Sequence, residues 1–180
     1  MASPQTLSEQ DRRVVAKWAA DCAERVLGLF EAEAPADDRP RDAIARARAF
    51  SRGELGAAEE IKRRFVAGRA ARQVSAPAAA AARSAAQAAG VAHMGAHALG
   101  AAAYAVKAVA LTSPDRAEAV SAEIRWQLER MSPEAREALR RLPRLGEDPA
   151  GPLGSGLLAS GILASTIRTI QVGLAGNRSV

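Results

Sequence analysis

The sequence predicts an all-α fold, a single-domain bundle of about six to seven helices around a central helix rich in alanine and glycine. Alanine supplies 45 of the 180 residues, and it is the best helix former and is scarce in strands. Aromatic residues make up only 3% of the chain although 48% is hydrophobic, so small and aliphatic side chains must form the core. Apolar residues also recur at intervals of three and four, which places them on one face of a helix.

A change in composition divides the chain in two. Residues 1–148 carry the helical patterns and predict the bundle domain, whereas residues 149–180 begin as a linker rich in proline and glycine and continue as an apolar C-terminal helix or tail. The net charge of +5, from 25 basic and 20 acidic side chains, favours acidic partners only weakly. The single cysteine, and a first stretch that lacks the apolar run of a secretion signal, predict a cytoplasmic location.

The first helix is predicted to begin at Thr6 or Ser8, whose hydroxyls can accept a hydrogen bond from the first turn, and to end at Pro35. Its apolar residues form one stripe that we expect to be buried: Val15, Trp18, Cys22, Val26 and Leu29. A second, shorter helix is predicted between Asp38, a candidate N-cap, and Gly53, which favours an end.

A third helix is predicted from Glu54 to Ser75, within a basic face that spans residues 41–83. Four apolar side chains are expected in the core: Leu55, Ala58, Ile61 and Phe65. Five basic side chains are expected to face solvent: Lys62, Arg63, Arg64, Arg69 and Arg72.

The segment from Pro77 to Leu111 is predicted to form one long central helix or two helices that meet near Gly90. Between Arg83 and Lys107 lie 23 residues without an acidic or strongly basic side chain, a length that could span a membrane. Fourteen of them are Ala or Gly, which is too little apolar bulk for insertion. We therefore expect this segment at the centre of the bundle, and we expect no membrane partner.

Three more helices are predicted. Ser113 and Pro114 are placed to start the first of them, and its apolar stripe is expected in the core: Val120, Ile124, Leu128 and Met131. A short helix follows in residues 132–143. The last, Leu157–Leu174, is predicted to cover Trp126, which lies off the stripe, on the same subunit or on a second copy. The long linker makes the second arrangement possible and favours a homodimer.

Both histidines, His93 and His97, are four residues apart and would share one face of a continuous central helix. This spacing allows two imidazoles to hold one metal ion, but zinc needs a third and usually a fourth ligand, which the sequence does not indicate. We predict that both rings are buried against the first helix. They would form a candidate polar site with Asp21 and Cys22.

The sequence offers no positive support for catalysis, and it implies no cofactor or metal. Cys22 lies on an apolar stripe and is interpreted as a small buried hydrophobe. No nucleophile-elbow, phosphate-loop or dinucleotide-binding motif occurs, and the glycines of residues 151–156 lack the lysine of a phosphate loop.

A candidate partner surface is formed by Trp126 and the basic side chains of the third helix: Lys62, Arg63, Arg64, Arg69 and Arg72. Nearby Glu59 and Glu60 balance part of that charge, and no exposed aromatic platform is predicted there. A solvated face is therefore favoured over a nucleic-acid site.

Three stretches carry a resemblance to a known family: DRRVVAKWAADCAERVLGLFE, DDRPRDAIARARAFSRGE and AARSAAQAAGVAHMGAHALGAAAYAVKAV. Together they resemble the bacterial family of Imm-5-like putative immunity proteins, over about residues 10–130. The residues that match its motifs are Trp18, Asp21, Cys22, Asp38, Arg39, Pro40, His93 and His97. The resemblance implies a small all-helical protein that neutralises a cognate toxin by contact and without catalysis.

A chain of net charge +5 fits the basic cleft of a nuclease poorly, so we expect an acidic or neutral toxin. Two other functions stay open at this point. One is a helical DNA-associated or regulatory protein that uses the basic face of residues 41–83. The other is a small-ligand or enzyme pocket around Asp21, Cys22, His93 and His97.

Overall fold

The computed structural model describes residues 3–63 and 66–176, and all regular secondary structure in these ranges is helical. The predicted all-α class is confirmed. The α-helices are α1 Glu9–Glu31, α2 Arg39–Ser51, α3 Ala57–Arg63, α4 Val66–Arg69, α5 Ala76–Gly90, α6 His97–Thr112, α7 Arg116–Glu129, α8 Pro133–Arg140 and α9 Gly161–Ala175. Two short 3₁₀ turns, Ala70–Gln73 and Leu157–Ala159, connect them.

Helix α1 begins where the sequence predicts, because the hydroxyl of Ser8 accepts a hydrogen bond of 3.0 Å from the backbone N–H of Asp11. The predicted stripe is buried from Val15 to Val26, while Leu29 is only partly buried. This face of α1 packs against α2, α5 and α6.

The central segment forms two helices, α5 and α6, which pack closely against each other. Most of their alanines are fully buried, and the hydroxyl of Ser84 in α5 donates to the carbonyl of Ala101 in α6 at 2.7 Å. Small side chains let two helix backbones approach, so Ala and Gly make the centre of this bundle. In the described part of the chain, no helix combines the length and the hydropathy needed to cross a membrane.

The break between α5 and α6 is stabilised by the start of the chain. The N–H groups of Gly95 and Ala96 donate to the carbonyls of Thr6 and Gln5, both at 3.0 Å. These long-range hydrogen bonds satisfy backbone groups that a continuous helix would pair internally. Of the two arrangements that the sequence left open, two helices is therefore correct.

The prediction of one helix over residues 54–75 is wrong. The described residues there begin helix only at Ala57, form a 3₁₀ turn from Ala70 to Gln73, and end where Ser75 caps the start of α5 by accepting from Ala78 N–H. Ala58 is exposed rather than buried, and Leu55 is half-buried. The predicted burial of the Ile61 and Phe65 side chains, and the predicted exposure of Arg64, lie outside the described residues.

At the starts of α2 and α7, the N-terminal cap hydrogen bond is accepted by a residue next to or near the predicted one. Helix α7 is capped by Asp115, whose carboxylate accepts from the N–H of Glu118 at 3.1 Å, so Pro114 precedes the helix. Before α2, the carboxylate of Asp37, rather than that of Asp38, accepts from Arg39 N–H at 3.2 Å. In both cases an aspartate close in sequence has the better position for the cap hydrogen bond.

The C-terminal helix forms as predicted, from Gly161 to Ala175, and packs on α6, α7 and α8 of the same chain. It buries most of its apolar residues: Leu163, Ile167, Ile170 and Leu174. Within this chain α9 does not line the cleft around Trp126, and the guanidinium of Arg25 from α1 lies 4.0 Å from the centre of that indole ring. Cover of Trp126 by α9 of a second copy stays a prediction. A homodimer stays a prediction.

The linker before α9 lies against the N-terminal segment. The buried side chain of Gln5 accepts from Leu153 N–H and donates to the Asp148 carbonyl, both at 2.8 Å. A Cβ atom at Gly151 would lie 2.6 Å from the Gln5 amide oxygen, so only glycine permits this approach. The linker is thereby joined to the bundle by buried hydrogen bonds.

Candidate functional site

The structure separates the two histidines that the sequence placed on one helix face. His97 is the first residue of α6, whereas His93 lies in the turn that follows α5. The prediction that both rings are buried is wrong for His93, which is exposed, because α5 ends at Gly90 and His93 lies in the turn that follows.

His97 lies mostly inside the protein and has a defined partner. Its Nδ1 is 2.8 Å from the amide oxygen of Gln87 on α5, so this nitrogen carries the hydrogen. Gly90 makes room for the ring, since a Cβ atom there would lie 2.9 Å from it. Burial and, to a smaller degree, the charge of the nearby His93 together lower the pKa of His97 to about 4. The imidazole is therefore neutral at pH 7.

Asp21 and Cys22 lie away from the histidines. Cys22 is fully buried, and burial, together with the negative charges of Glu123 and Asp21, raises its thiol pKa. The carboxylate of Asp21 pairs instead with Arg48 at 2.9 Å and with Lys17 at 3.6 Å. The predicted four-residue polar site is thus not brought together. Within the described residues, no group of three His, Cys, Asp or Glu side chains could hold a metal ion.

The histidines line a different site, an open cleft of about 600 Å³ between the α4 region, α5 and α6. We name it the arginine cleft after its three guanidinium groups: Arg69, Arg72 and Arg83. Gln87, His97 and Tyr104 also line it.

The charged side chains that line the described part of the arginine cleft are arginines. Its lining contains no aspartate or glutamate among the described residues. None of the three arginines forms an ion pair or hydrogen bond with another described residue. Burial raises the pKa of Tyr104, while the charge of Arg83 opposes that rise, so the phenol stays protonated and can donate a hydrogen bond at neutral pH.

Sequence reasoning included Arg69 and Arg72 in a solvent-facing surface, and it missed Arg83 and Tyr104. A signal was present, because residues 83, 87 and 90 follow the i, i+4, i+7 spacing of one helix face. Residues 97 and 104 follow the same seven-residue spacing on α6. Only the packing of α5 against α6 shows that these two faces meet.

A second cleft, of about 340 Å³, surrounds Trp126 between α1 and α7. We name it the tryptophan cleft, and its lining comprises Lys17, Asp21, Glu24, Arg25, Trp126 and Arg130. Trp126 is half-buried, with the guanidinium of Arg25 at 4.0 Å from the ring centre and that of Arg130 at 5.6 Å. The indole thus forms one surface of the cleft, and basic and acidic side chains surround it.

Ion pairs hold the rim of the tryptophan cleft. Arg25 pairs at 3.0 Å with Glu123, a carboxylate that is only 3% exposed. On the other side, Arg48 binds Asp21 at 2.9 Å and Glu24 at 2.6 Å, and its hydrogen bond lowers the pKa of Glu24. The side chains around the indole are therefore positioned before any partner arrives.

The remaining basic candidates face solvent as predicted. Lys62, Arg63, Arg69 and Arg72 are exposed, while Arg64 lies outside the described residues. Arg63 approaches Asp42 at 3.9 Å, and Glu60 is buried in an ion pair with Arg46. Acidic side chains therefore interrupt the basic face.

Duplex DNA is expected to bind this face weakly and without sequence specificity, because few phosphates could be contacted at once. Fluorescence anisotropy of a labelled duplex at about 150 mM salt would measure it. A sub-micromolar complex that is lost when Arg63, Arg69 and Arg72 are replaced by glutamate would contradict this expectation.

The class that the fold defines is a single-domain all-α protein, and the arginine cleft and the tryptophan cleft are two of the clefts on its described surface. Residues 5–134 match the family model described as Imm-5 like putative immunity protein. The match covers more than two thirds of the chain, from the N-terminal segment into α8, and the chain belongs to this family. No curated protein and no solved structure matches it. The linker and α9 lie beyond the matched residues.

Proposed function

We propose that this protein neutralises a cognate toxin by protein–protein contact, without catalysis, and that Trp126 is the centre of the contact surface. The observation that carries the proposal is membership of the immunity-protein family. The family match supports binding as the activity, and the tryptophan cleft supplies the surface with the best physical features for it.

Residue type supports this choice of surface. Tryptophan and arginine are the residues that most often dominate the binding energy of protein interfaces, above all where they lie at the centre of a pocket. Trp126 is half-buried and has Arg25 and Arg130 beside its ring. A toxin side chain that packed against the Trp126 indole would lose its contact with water and gain a large apolar contact.

Positioning of the rim supports it as well. Ordering a long charged side chain on binding lowers affinity, but Arg25 and Arg48 are already held by their ion pairs. The rim contains three basic and two acidic residues, so it complements a partner of mixed charge. Together with the net charge of +5, this favours an acidic or neutral toxin over a basic nuclease.

The test is to purify the polypeptide encoded by the neighbouring gene in the source genome and to titrate it with this protein in a calorimeter. The Trp126→Ala variant is expected to weaken the complex by about 30-fold or more, the effect of a central anchor. Trp126→Phe should lose less because it retains an aromatic ring. Co-expression should show the same order in protecting cells from the toxin.

The matched control is Arg168→Ala, an exposed position on α9 that does not line the tryptophan cleft. Circular dichroism would verify that each variant is folded. If the toxin bound the wild-type protein and the Trp126→Ala variant with equal affinity, Trp126 would not be part of the interface. A wild-type protein that neither binds nor protects against the neighbouring polypeptide would count against that polypeptide as the cognate toxin.

A further inference from the structure

We propose that the arginine cleft is a binding site for a small molecule that carries a phosphate or carboxylate group. This site is separate from the tryptophan cleft and goes beyond the toxin contact proposed above. It rests on three features of the cleft: positive charge that no described carboxylate balances, a tyrosine hydroxyl that faces the cleft without a partner among the described residues, and a size that suits a small ligand.

The charge comes from three elements of the fold. Arg69 ends α4, Arg72 lies in the following 3₁₀ turn, and Arg83 belongs to α5. Most arginines elsewhere in the described chain pair with carboxylates, as Arg46 does with Glu60 and Arg48 with Glu24. The three in the cleft have no such pair, so no carboxylate in the described part of the chain neutralises their charge. An oxyanion between them would supply the missing negative charge and accept paired hydrogen bonds from each planar guanidinium.

Tyr104 provides an independent observation. The residue as a whole is only 2% exposed, yet it lines the cleft, and its hydroxyl makes no hydrogen bond with any described residue. The hydroxyl is not fully buried, so it is reached from the cleft and can donate a hydrogen bond there. A ligand oxygen in the cleft would give this donor an acceptor.

Gln87 adds a neutral donor. Its amide oxygen is engaged by His97, which fixes the carboxamide and leaves the NH₂ group available on the other side. Charged and neutral donors together would orient an oxyanion rather than only attract it.

The size of the cleft selects the class of ligand. Its volume of about 600 Å³ falls within the usual range of small-molecule sites, about 300 to 1,000 Å³. Gly68, Ala86 and Gly90 line part of it and leave space beside the arginines for an uncharged portion of the molecule. A phosphate or carboxylate group would therefore bind at the arginines, with the rest of the ligand over these small residues.

Isothermal titration calorimetry with pyrophosphate and, separately, with citrate would test the proposal, with the ionic strength held constant by sodium chloride. At least one of the two anions is expected to bind saturably with one-to-one stoichiometry. Arg83→Gln should weaken this binding by about tenfold or more, as expected for the loss of a charged hydrogen bond. Tyr104→Phe keeps the ring and loses only the hydroxyl, so it should weaken binding by about three- to tenfold.

Arg168→Gln is the matched control, because it removes one positive charge from an exposed site outside the cleft. It should leave the affinity unchanged. Stronger binding of pyrophosphate would identify a phosphorylated ligand, and stronger binding of citrate a carboxylate. The proposal is overturned if neither anion binds at millimolar concentration, or if Arg168→Gln weakens binding as much as Arg83→Gln. Arg83→Gln and Tyr104→Phe leave Trp126 unchanged. A negative result for anion binding would therefore not count against the proposed toxin contact, which the Trp126→Ala titration tests separately.

Discussion

Replacement of Trp18 by alanine is expected to lower the free energy of unfolding by about 3 to 5 kcal/mol, one of the largest effects of any single substitution in this chain. Trp18 is only 2% exposed, so the change would leave a cavity in a tightly packed core. Its indole N–H also donates to the carbonyl of Gln127 on α7 at 2.8 Å. The substitution would leave that buried carbonyl without this hydrogen bond.

Urea unfolding followed by circular dichroism would measure the loss. Trp18→Phe is the matched variant, because it keeps most of the apolar volume and removes the N–H donor, and it should cost about 1 to 2 kcal/mol. If Trp18→Ala lost no more than Trp18→Phe, the cavity would not be the main cause. Since Trp18 joins α1 to the helix that carries Trp126, the alanine variant should also bind a toxin more weakly.

The stability of the protein is expected to fall by about 2 to 3 kcal/mol between pH 7 and pH 4.5 because of His97 alone. The pKa of His97 is lowered from its ordinary value of 6.5 to about 4, mainly by burial and to a smaller degree by the charge of His93. Above pH 6.5 the imidazole is neutral in both the folded and the unfolded chain, and no penalty arises. As the pH falls below 6.5, the unfolded chain takes up a proton that the folded protein does not accept until about pH 4. Protonation therefore favours the unfolded state across this window.

His97→Asn isolates this effect, because the asparagine amide can still donate to Gln87 but does not titrate. Its free energy of unfolding can be measured with urea at several pH values. Between pH 7 and pH 4.5 it should fall by about 2 to 3 kcal/mol less than that of the wild-type protein. His93→Asn is the comparison, since His93 is exposed and contributes the smaller of the two causes that lower the His97 pKa, so it should reduce the acid sensitivity much less than His97→Asn does. Parallel curves for the wild-type protein and His97→Asn would show that burial of this ring does not govern the acid sensitivity.

Much of this fold could be predicted from local features of the chain. The abundance of alanine determined the all-α class, and the apolar spacing from Val15 to Val26 identified the buried face of α1. The hydroxyl of Ser8 marked the start of α1. These features depend on residues within one or two turns of each other, so the sequence alone contains the information.

Other features required the tertiary structure, because they depend on partners far apart in the chain. The separation of His93 from His97 follows from hydrogen bonds between residues 95–96 and residues 5–6. The position of Trp126 follows from Arg25, about a hundred residues earlier. The arginine cleft exists because α5 packs against α6 and places Arg83 and Tyr104 on one surface. Thus the sequence by itself determined the all-α class and the apolar face of α1. Only the tertiary structure decided which polar groups meet, since those contacts form when distant helices pack.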